Sequence, residues 1–241
     1  MSEDKNQKQE ALESLTGEIL FLDLLGKVFI TYPLKENQAW YQTLKDQDLF
    51  SSTPFAAERF EIQKGLESIQ SWIENNRQTS LDETILELQT DNTYLFNCAN
   101  IILAPPWESV YKTKERLVLQ EHTLRVRKFY QKYGLTLCDQ HTEPDDHIGL
   151  ELHFVSYLTY KMVQALAEGD IAEFERYKDA KSTFLTDHLL QWSLLFCSQI
   201  DKYAQTGFYK GMGLLLNGIS RELAELYDIP LSQLDELVEM V

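Results

Sequence analysis

Glycine and proline are scarce in this sequence of 241 residues. Its 10 glycines and 6 prolines make up about 7% of the chain, against roughly 12% in average proteins. Tight turns depend on these residues, so a many-stranded sandwich or barrel is disfavoured. No run of alternating polar and apolar residues is long enough to require a sheet either. The composition therefore favours helices.

Cysteine and positive charge are also in short supply. Cys98, Cys138 and Cys197 are odd in number and far apart, so they predict neither a disulfide framework nor a CxxC pair, and we interpret them as reduced core thiols. Lys and Arg together number 22 against 38 Asp and Glu, a formal net charge of −16. So acidic a surface repels phosphate backbones, and we expect no nucleic-acid partner. Basic ligands and basic peptide segments suit it better.

Long hydrophobic segments are missing as well. The most apolar stretches, at residues 19–25 and 189–197, fall well short of the roughly 20 residues that a membrane span needs. Residues 1–10 are polar and acidic, without the basic region and apolar core of a secretory signal. These features predict a cytoplasmic protein without an integral membrane segment.

Apolar residues recur at steps of three or four over most of the sequence, which is the spacing of one face of an α-helix. The predicted helices cover residues 7–32, 36–46, 56–75, a segment from Ser80 or Asp82 to about 97, 114–133, a segment capped by Asp145 or Asp146 that runs to about 168, 171–203 with one break, 207–227, and a short segment from 232. Gly134 and Gly169 come directly after two of these helices, where a left-handed residue commonly ends a helix.

We therefore expect an all-α protein, a single compact helical globule covering residues 1–241. Two helical halves, at about 1–134 and 146–241, pack together because their apolar faces are too broad for one helix pair to cover. A polar connector at about 135–145 lacks a helical period and is the expected hinge.

The first unusual segment surrounds two adjacent prolines. Pro105 and Pro106 require an extended backbone, since residues before proline avoid the α region. Trp107 and Tyr111 are four residues apart, so they lie close together if a helix begins near Glu108. They would then form a rigid aromatic platform. The alternative is that Trp107 is a buried core residue and that the prolines only make a turn.

The second unusual segment covers residues 143–151, EPDDHIGLE. Asp145 or Asp146 suits the start of a helix, where a carboxylate accepts hydrogen bonds from free backbone N–H groups. His147 and Glu151 are four residues apart, and a metal site can be imagined there. No HExxH motif or cysteine cluster supports one, so the pattern favours a hydrogen-bonded structural histidine.

A third segment contains Tyr94 and Phe96, two residues apart at the end of a predicted helix. The two side chains cannot face the same way. We expect one of them to pack inward and the other to lie near Trp107.

Motifs of common enzymes are missing. The sequence contains neither a GxxxxGK[ST] phosphate loop nor a GxSxG nucleophile elbow. Cys138 and His141 lie in the polar connector, where their spacing is poor geometry for a nucleophile pair. We therefore predict no catalytic residues.

Three segments in this order and spacing resemble the TorD/DmsD family of cytoplasmic chaperones for molybdenum-containing redox enzymes. They are PPWESVY at 105–111, ERLVLQEHTLRVRKFYQKYGL at 115–135 and EPDDHIGLEL at 143–152. Tyr94-Leu-Phe96 fits the same pattern, and a weaker similarity continues over 184–209. The combination of a proline–aromatic motif with a later EPxDH motif is specific, whereas either motif alone is weak.

The resemblance implies an all-helical, non-enzymatic chaperone. Such a protein binds the twin-arginine leader or the apo form of a molybdopterin-dependent oxidoreductase and holds it for cofactor insertion before export. The resemblance also implies a monomer or a homodimer that exchanges helices across the connector. No metal or cofactor is expected, except that some family members bind guanine nucleotide.

A leader of this kind has a cationic stretch followed by an apolar one, so its receptor needs carboxylates beside an apolar groove. The predicted arginine-binding carboxylates are Glu108, Glu143, Asp145, Asp146 and Glu151. The predicted apolar groove consists of Tyr94, Phe96, Trp107 and Tyr111. Pro106, Ser109 and His147 complete the predicted site, with His147 ordering the hinge and groove through hydrogen bonds.

Two other functions remain open. One is an assembly chaperone of the nitrate-reductase type, which recognises a non-exported catalytic subunit. The other is a metal-dependent hydrolase centred on His147 and Glu151.

Overall fold

The structure, a computed structural model, describes residues 2–46, 59–98, 101–112, 121–136 and 143–231. Over these residues the regular structure is helical and no strand is present, which confirms the all-α prediction. The helices are α1 (Ser2–Ile30), α2 (Gln38–Asp46), α3 (Phe60–Asn75), α4 (Leu81–Phe96), α5 (Glu108–Lys112), α6 (Glu121–Lys132), α7 (Ile148–Glu168), α8 (Ile171–Asp187), α9 (Ser193–Tyr203) and α10 (Gly207–Leu226).

Several helix ends agree with the sequence signals. The Ser80 hydroxyl accepts a hydrogen bond from the backbone N–H of Glu83, and the Glu83 carboxylate accepts one from the Ser80 N–H, a complete capping box at the start of α4. Gly134 and Gly169 follow α6 and α7 with φ angles of 77° and 78°, the left-handed conformation that glycine adopts most easily. Helix α1 ends at Ile30, before Pro33.

The long segment predicted over 171–203 breaks at His188, whose φ and ψ of −126° and −91° are not helical. A single 3-10 turn, Leu189–Gln191, then leads into α9. The terminal helix predicted from residue 232, and most of the connector, lie outside the described residues.

Two compact units are formed, and each contains segments from both sides of the connector. The first consists of Met1–Ile30 and Trp107–Trp192, and the second of Thr31–Pro106 and Ser193–Val241. The single domain with halves at 1–134 and 146–241 remains a prediction.

In the first unit α7 packs along both α1 and α8, and α5 contacts α6. The core contains fully buried Leu22 and Leu25 from α1, Leu152 from α7 and Phe184 from α8. This packing surrounds the amino-terminal end of α7, where the second unusual sequence segment lies.

In the second unit α10 packs against α3 and α9. The Asp91 carboxylate on α4 accepts hydrogen bonds from the backbone N–H groups of Gln205 and Thr206 at 3.1 and 2.7 Å. It therefore holds the start of α10. None of the helices in the described part of the chain is both long and apolar enough to cross a bilayer.

Candidate functional site

The two sequence motifs meet through their backbones in the first unit. Trp107 and His147 form an isolated antiparallel bridge, and the Glu108 N–H donates to the Asp146 carbonyl at 2.9 Å. The proline–aromatic motif and the EPxDH motif therefore form one structural feature, although the segment that connects them is longer than 30 residues. We call the residues 107–111 and 143–151 the motif junction.

Asp146 is fully buried in the motif junction. Its carboxylate Oδ2 accepts a hydrogen bond from the Ser109 N–H at 2.9 Å, at the start of α5. A carboxylate at this position satisfies a free N–H group and complements the helix dipole. Asp146 therefore caps a helix from another segment of the chain, and not its own helix.

His147 is the N-cap of α7, so the prediction that Asp145 or Asp146 caps this helix is wrong. The His147 Nδ1 accepts a hydrogen bond from the Gly149 N–H at 3.0 Å. The reason is that Asp146 is turned toward α5 and Asp145 toward α6. The expectation of a hydrogen-bonded structural histidine is confirmed, and the Trp107 ring packs against its imidazole with ring centroids 6.2 Å apart.

Asp145 connects the motif junction to α6. The Arg127 Nε and Nη2 both donate to its Oδ2, at 2.9 and 2.6 Å, and the Tyr130 hydroxyl donates to its backbone carbonyl at 3.0 Å. The Asp145 side chain is 4% exposed, whereas that of Arg127 is 48% exposed. The guanidinium therefore covers a carboxylate that is otherwise buried.

Glu108 and Glu151 add two buried carboxyl groups to that of Asp146. The Glu108 Oε2 lies 3.0 Å from the His188 Nδ1, and the Trp192 Nε1 donates to the Glu151 Oε2 at 3.2 Å. The second carboxyl oxygen of Glu151 and that of Asp146 are buried, and neither has a hydrogen-bond partner among the described residues.

Burial dominates the electrostatics of Glu151. Loss of hydration raises its pKa well above the usual value, and the nearby charges of Glu108 and Asp146 raise it further. The Trp192 hydrogen bond and the charge of Lys112 act in the opposite direction but are smaller. Glu151 therefore holds its proton more readily than an exposed glutamate.

Trp107 and Glu143 form the accessible edge of the motif junction. Both are half-buried, and the Trp107 indole N–H donates to the Glu143 carboxylate at 3.3 Å. Tyr111 is also half-buried, and its ring lies 5.3 Å from that of Trp192.

The other predicted site residues, Tyr94, Phe96 and Pro106, belong to the second unit. Phe96 is buried against Tyr209, with ring centroids 5.6 Å apart, whereas Tyr94 is 39% exposed. The expectation that one of these two aromatic residues packs inward is confirmed. Pro106 is buried.

Sequence reasoning missed four residues of this site. They are Arg127, Tyr130, His188 and Trp192, which contact the carboxyl groups of the motif junction or its backbone. The signal was present, because all four lie within the segments that resemble the chaperone family. The described residues contain no group of three or more His, Cys, Asp or Glu side chains arranged to hold a metal ion.

The all-α fold and the two motifs, joined at a buried acidic cluster, agree with the class that the sequence resembles, the redox-enzyme chaperones. The sequence model of the family described as "Nitrate reductase delta subunit" matches residues 58–198, which is more than half of the chain. The chain belongs to this family, which includes the TorD/DmsD chaperones.

Curated relatives bear chaperone names. The chain is 30% identical to "Probable Tat proofreading chaperone DmsD" of Haemophilus influenzae over 195 residues, covering 80% of this chain and 82% of the relative. It is 29% identical to "Chaperone protein TorD" of Aliivibrio fischeri, covering 73% and 81% respectively. It is 23% identical to "Chaperone protein TorD" of Vibrio cholerae, covering 87% of each chain.

Proposed function

We propose that this protein is a cytoplasmic, non-enzymatic chaperone that binds the twin-arginine leader or the apo form of a molybdopterin-dependent oxidoreductase, and holds it for cofactor insertion before export. The observation that carries the proposal is the motif junction, where an accessible aromatic–carboxylate pair borders a group of buried carboxyls. The names of the relatives support it, since DmsD of Haemophilus influenzae is called a Tat proofreading chaperone.

The carboxylates that a leader arginine reaches first are Glu143 and Asp145. Glu143 is half-buried, and among the described residues it accepts one hydrogen bond, from Trp107 at 3.3 Å, which leaves acceptor capacity for a guanidinium. Asp145 already binds the exposed Arg127 guanidinium, so a leader arginine can replace Arg127 there at similar geometry. When a leader arginine replaces Arg127, the Asp145 carboxylate remains paired with a guanidinium.

The deeper carboxyl groups have a supporting role in this proposal. Asp146 holds the start of α5 and thereby positions Trp107 and Tyr111. Behind the accessible edge, the Glu108 carboxyl lies 3.0 Å from the His188 Nδ1, and the Glu151 carboxyl, whose pKa is raised, favours its protonated form. The apolar stretch of the leader packs on the exposed parts of the Trp107 and Tyr111 rings. The same proposal holds for a monomer and for a dimer that exchanges helices across the connector.

Isothermal titration calorimetry with a synthetic leader tests the proposal. The leader comes from the oxidoreductase encoded beside this gene, and the matched control peptide carries two lysines in place of the paired arginines. We expect saturable binding of the arginine peptide and weaker binding of the lysine peptide, because an ammonium group lacks the planar, parallel pair of N–H donors with which a guanidinium binds both oxygens of a carboxylate. Failure of both the leader and the apo-enzyme to bind at about 50 micromolar contradicts the proposal.

The description of the matched family, "Nitrate reductase delta subunit", supports a second candidate function. A chaperone of the nitrate-reductase type recognises a catalytic subunit that stays in the cytoplasm and has no paired-arginine leader. If the adjacent gene encodes such a subunit, and the subunit binds this protein after its amino-terminal segment has been removed, the second candidate is correct and the leader-binding proposal is wrong.

A further inference from the structure

Helix α4 of the second unit carries apolar side chains on its outer face as well as in the core. Leu88 and Leu95 are fully buried, as expected for the inner face of a helix. Leu86 and Tyr94, by contrast, are exposed, and Leu86 is exposed over 61% of its surface. These two residues are eight positions apart, so they lie about two turns from each other on one face of α4.

The segment that follows α1 is held against this face of α4. The Tyr32 hydroxyl lies 3.2 Å from the Thr93 hydroxyl, near the end of the helix. The side-chain amide of Gln89, one turn earlier on α4, donates to the Pro33 carbonyl at 2.6 Å. The segment therefore runs antiparallel to α4, and it brings the exposed Tyr32 ring to the turn that carries Tyr94.

A third contact places Leu34, which is also exposed. Its neighbour Lys35 forms an ion pair at 3.0 Å with Asp82, near the start of α4. Leu34 thus lies between the contacts with residues 82 and 89, level with Leu86. Four exposed apolar side chains form one surface, which we call the α4 patch: Tyr32, Leu34, Leu86 and Tyr94.

Negative charge borders the α4 patch. Glu83 lies one turn before Leu86, Glu87 directly follows it, and both glutamates are exposed. The Glu83 carboxylate accepts a hydrogen bond from the Ser80 hydroxyl at 2.6 Å, and that of Glu87 accepts one from the Trp72 indole N–H at 3.0 Å. Both donors are uncharged, so these contacts leave the charge of the two carboxylates uncompensated.

This charge decides between the occupants that an apolar surface can have. A second copy of the chain carries the same net charge of −16 and is repelled. Residues 232–241 of the chain itself include Asp235, Glu236 and Glu239 and no lysine or arginine, so their charge has the wrong sign. An anionic membrane surface is repelled as well. The arrangement favours a basic partner with apolar side chains.

We propose that the α4 patch docks an amphipathic helix of a partner protein, with apolar residues on one face of that helix and Lys or Arg residues beside them. Leu86 and Tyr94 are separated by about 12 Å along the α4 axis, which matches two turns of a docked helix with apolar residues at i, i+4 and i+7. The basic residues meet the charges of Glu83 and Glu87. The residues of the motif junction take no part in this contact.

The test uses a fluorescently labelled synthetic helix of about 15 residues, with leucines on one face and lysines beside them. One control peptide carries glutamates in place of the lysines, and another has the composition of the lysine helix with its leucines scattered over all faces. Fluorescence anisotropy measures the binding of each peptide to the whole chain.

Two double variants locate the binding. Leu34→Gln and Leu86→Gln together remove two side chains of the α4 patch. Leu20→Gln and Leu124→Gln together are the matched control, because both leucines are exposed and belong to the first unit. Circular dichroism and the thermal midpoint without peptide establish that each variant is folded.

We expect saturable binding of the lysine helix and at least about tenfold weaker binding of both control peptides. The patch variant should bind the lysine helix at least about tenfold more weakly, and the control variant should bind it like the unmodified protein. Absence of saturation at about 100 micromolar lysine helix contradicts the proposal. An equal loss in both double variants also contradicts it, because it indicates general attraction of a basic peptide to an acidic protein. Equal affinity for the lysine and glutamate helices overturns the basic character of the partner.

Titration of the patch variant with the twin-arginine leader separates this surface from the motif junction. We expect the leader to bind this variant as it binds the unmodified protein. A loss of leader affinity as large as that of the lysine helix overturns the α4 patch as a separate docking surface. Failure of the leader to bind either protein contradicts the proposed function, whereas the result with the lysine helix still decides on the α4 patch.

Discussion

The Trp192 indole N–H donates to the Glu151 carboxyl at 3.2 Å in the interior of the first unit, and the other Glu151 oxygen has no hydrogen-bond partner among the described residues. Burial in this position favours the protonated form of the carboxyl more than exposure to water does. Its raised pKa connects the stability of the fold to pH.

The first prediction concerns Glu151→Gln. The folded protein holds a proton on Glu151 above the ordinary pKa of 4.5, so the stability from this group is present at low pH and decreases as the pH rises toward the raised pKa. Replacement by Gln keeps an oxygen that accepts the Trp192 N–H and removes the titration. We expect the free energy of unfolding, measured in urea from about pH 5 to 8, to fall less steeply in the variant.

Glu173→Gln is the matched control. Glu173 is at the exposed start of α8, and its hydrogen bond with Arg176 lowers its pKa. Because it stays charged over the whole range, the control should show the same pH slope as the unmodified protein. Identical slopes for all three proteins would contradict the assignment of this proton to Glu151.

The second prediction concerns Arg127→Gln, which uncovers the Asp145 carboxylate. Arg127 is 48% exposed, so the cost in stability should be within about 1 kcal/mol. If leader arginines bind Asp145, removal of the competing guanidinium should tighten leader binding, which calorimetry measures. Arg176→Gln, which breaks the pair with Glu173 on α8, is the control and should leave leader affinity unchanged. Weaker binding by Arg127→Gln alone would show that Arg127 supports the site and does not compete for it.

The third prediction separates the two interpretations of Trp107. Trp107 is half-buried, so Trp107→Ala should destabilise the fold by less than the about 3–5 kcal/mol expected for a fully buried tryptophan. Trp192→Ala provides that reference, since Trp192 is fully buried. We expect Trp107→Ala to weaken leader binding at least about tenfold while the protein stays folded. A loss of stability as large as that of Trp192→Ala, with unchanged binding, would show that Trp107 is a core residue.

The fourth prediction concerns a buried ion pair between α1 and α8. The Lys181 ammonium, with its side chain fully buried, donates to the Glu18 carboxylate, which also accepts a hydrogen bond from the Thr159 hydroxyl at 2.8 Å. Lys181→Met leaves the Glu18 charge buried and should cost about 3–5 kcal/mol of unfolding free energy. Combining it with Glu18→Leu should recover most of this loss, because no buried charge then remains.

Lys178→Met, on the exposed side of α8, should change stability by less than about 0.5 kcal/mol. Urea unfolding measures all of these variants. A double variant as unstable as the sum of the Lys181→Met and Glu18→Leu single variants would show no energetic coupling between the two residues and would contradict this prediction.

Most of the helical structure was predictable because the signals are local. The capping box of Ser80 and Glu83 and the left-handed Gly169 involve residues a few positions apart, and the adjacent sequence determines them. The assignment of Asp145 or Asp146 as the cap of α7 failed for the opposite reason. Both carboxylates are used by other segments, at α5 and α6, which no local pattern reveals.

The amino-acid sequence alone determined that this protein is helical, acidic and related to a chaperone family, because composition, periodicity and short motifs carry that information. Only the tertiary structure decided which groups the motif carboxyls contact. Glu108 meets His188 after 80 residues, and Glu151 meets Trp192 after 41. Partners at such separations depend on how the helices of the first unit pack. A buried carboxyl forms a hydrogen bond with the donor that this packing brings within reach.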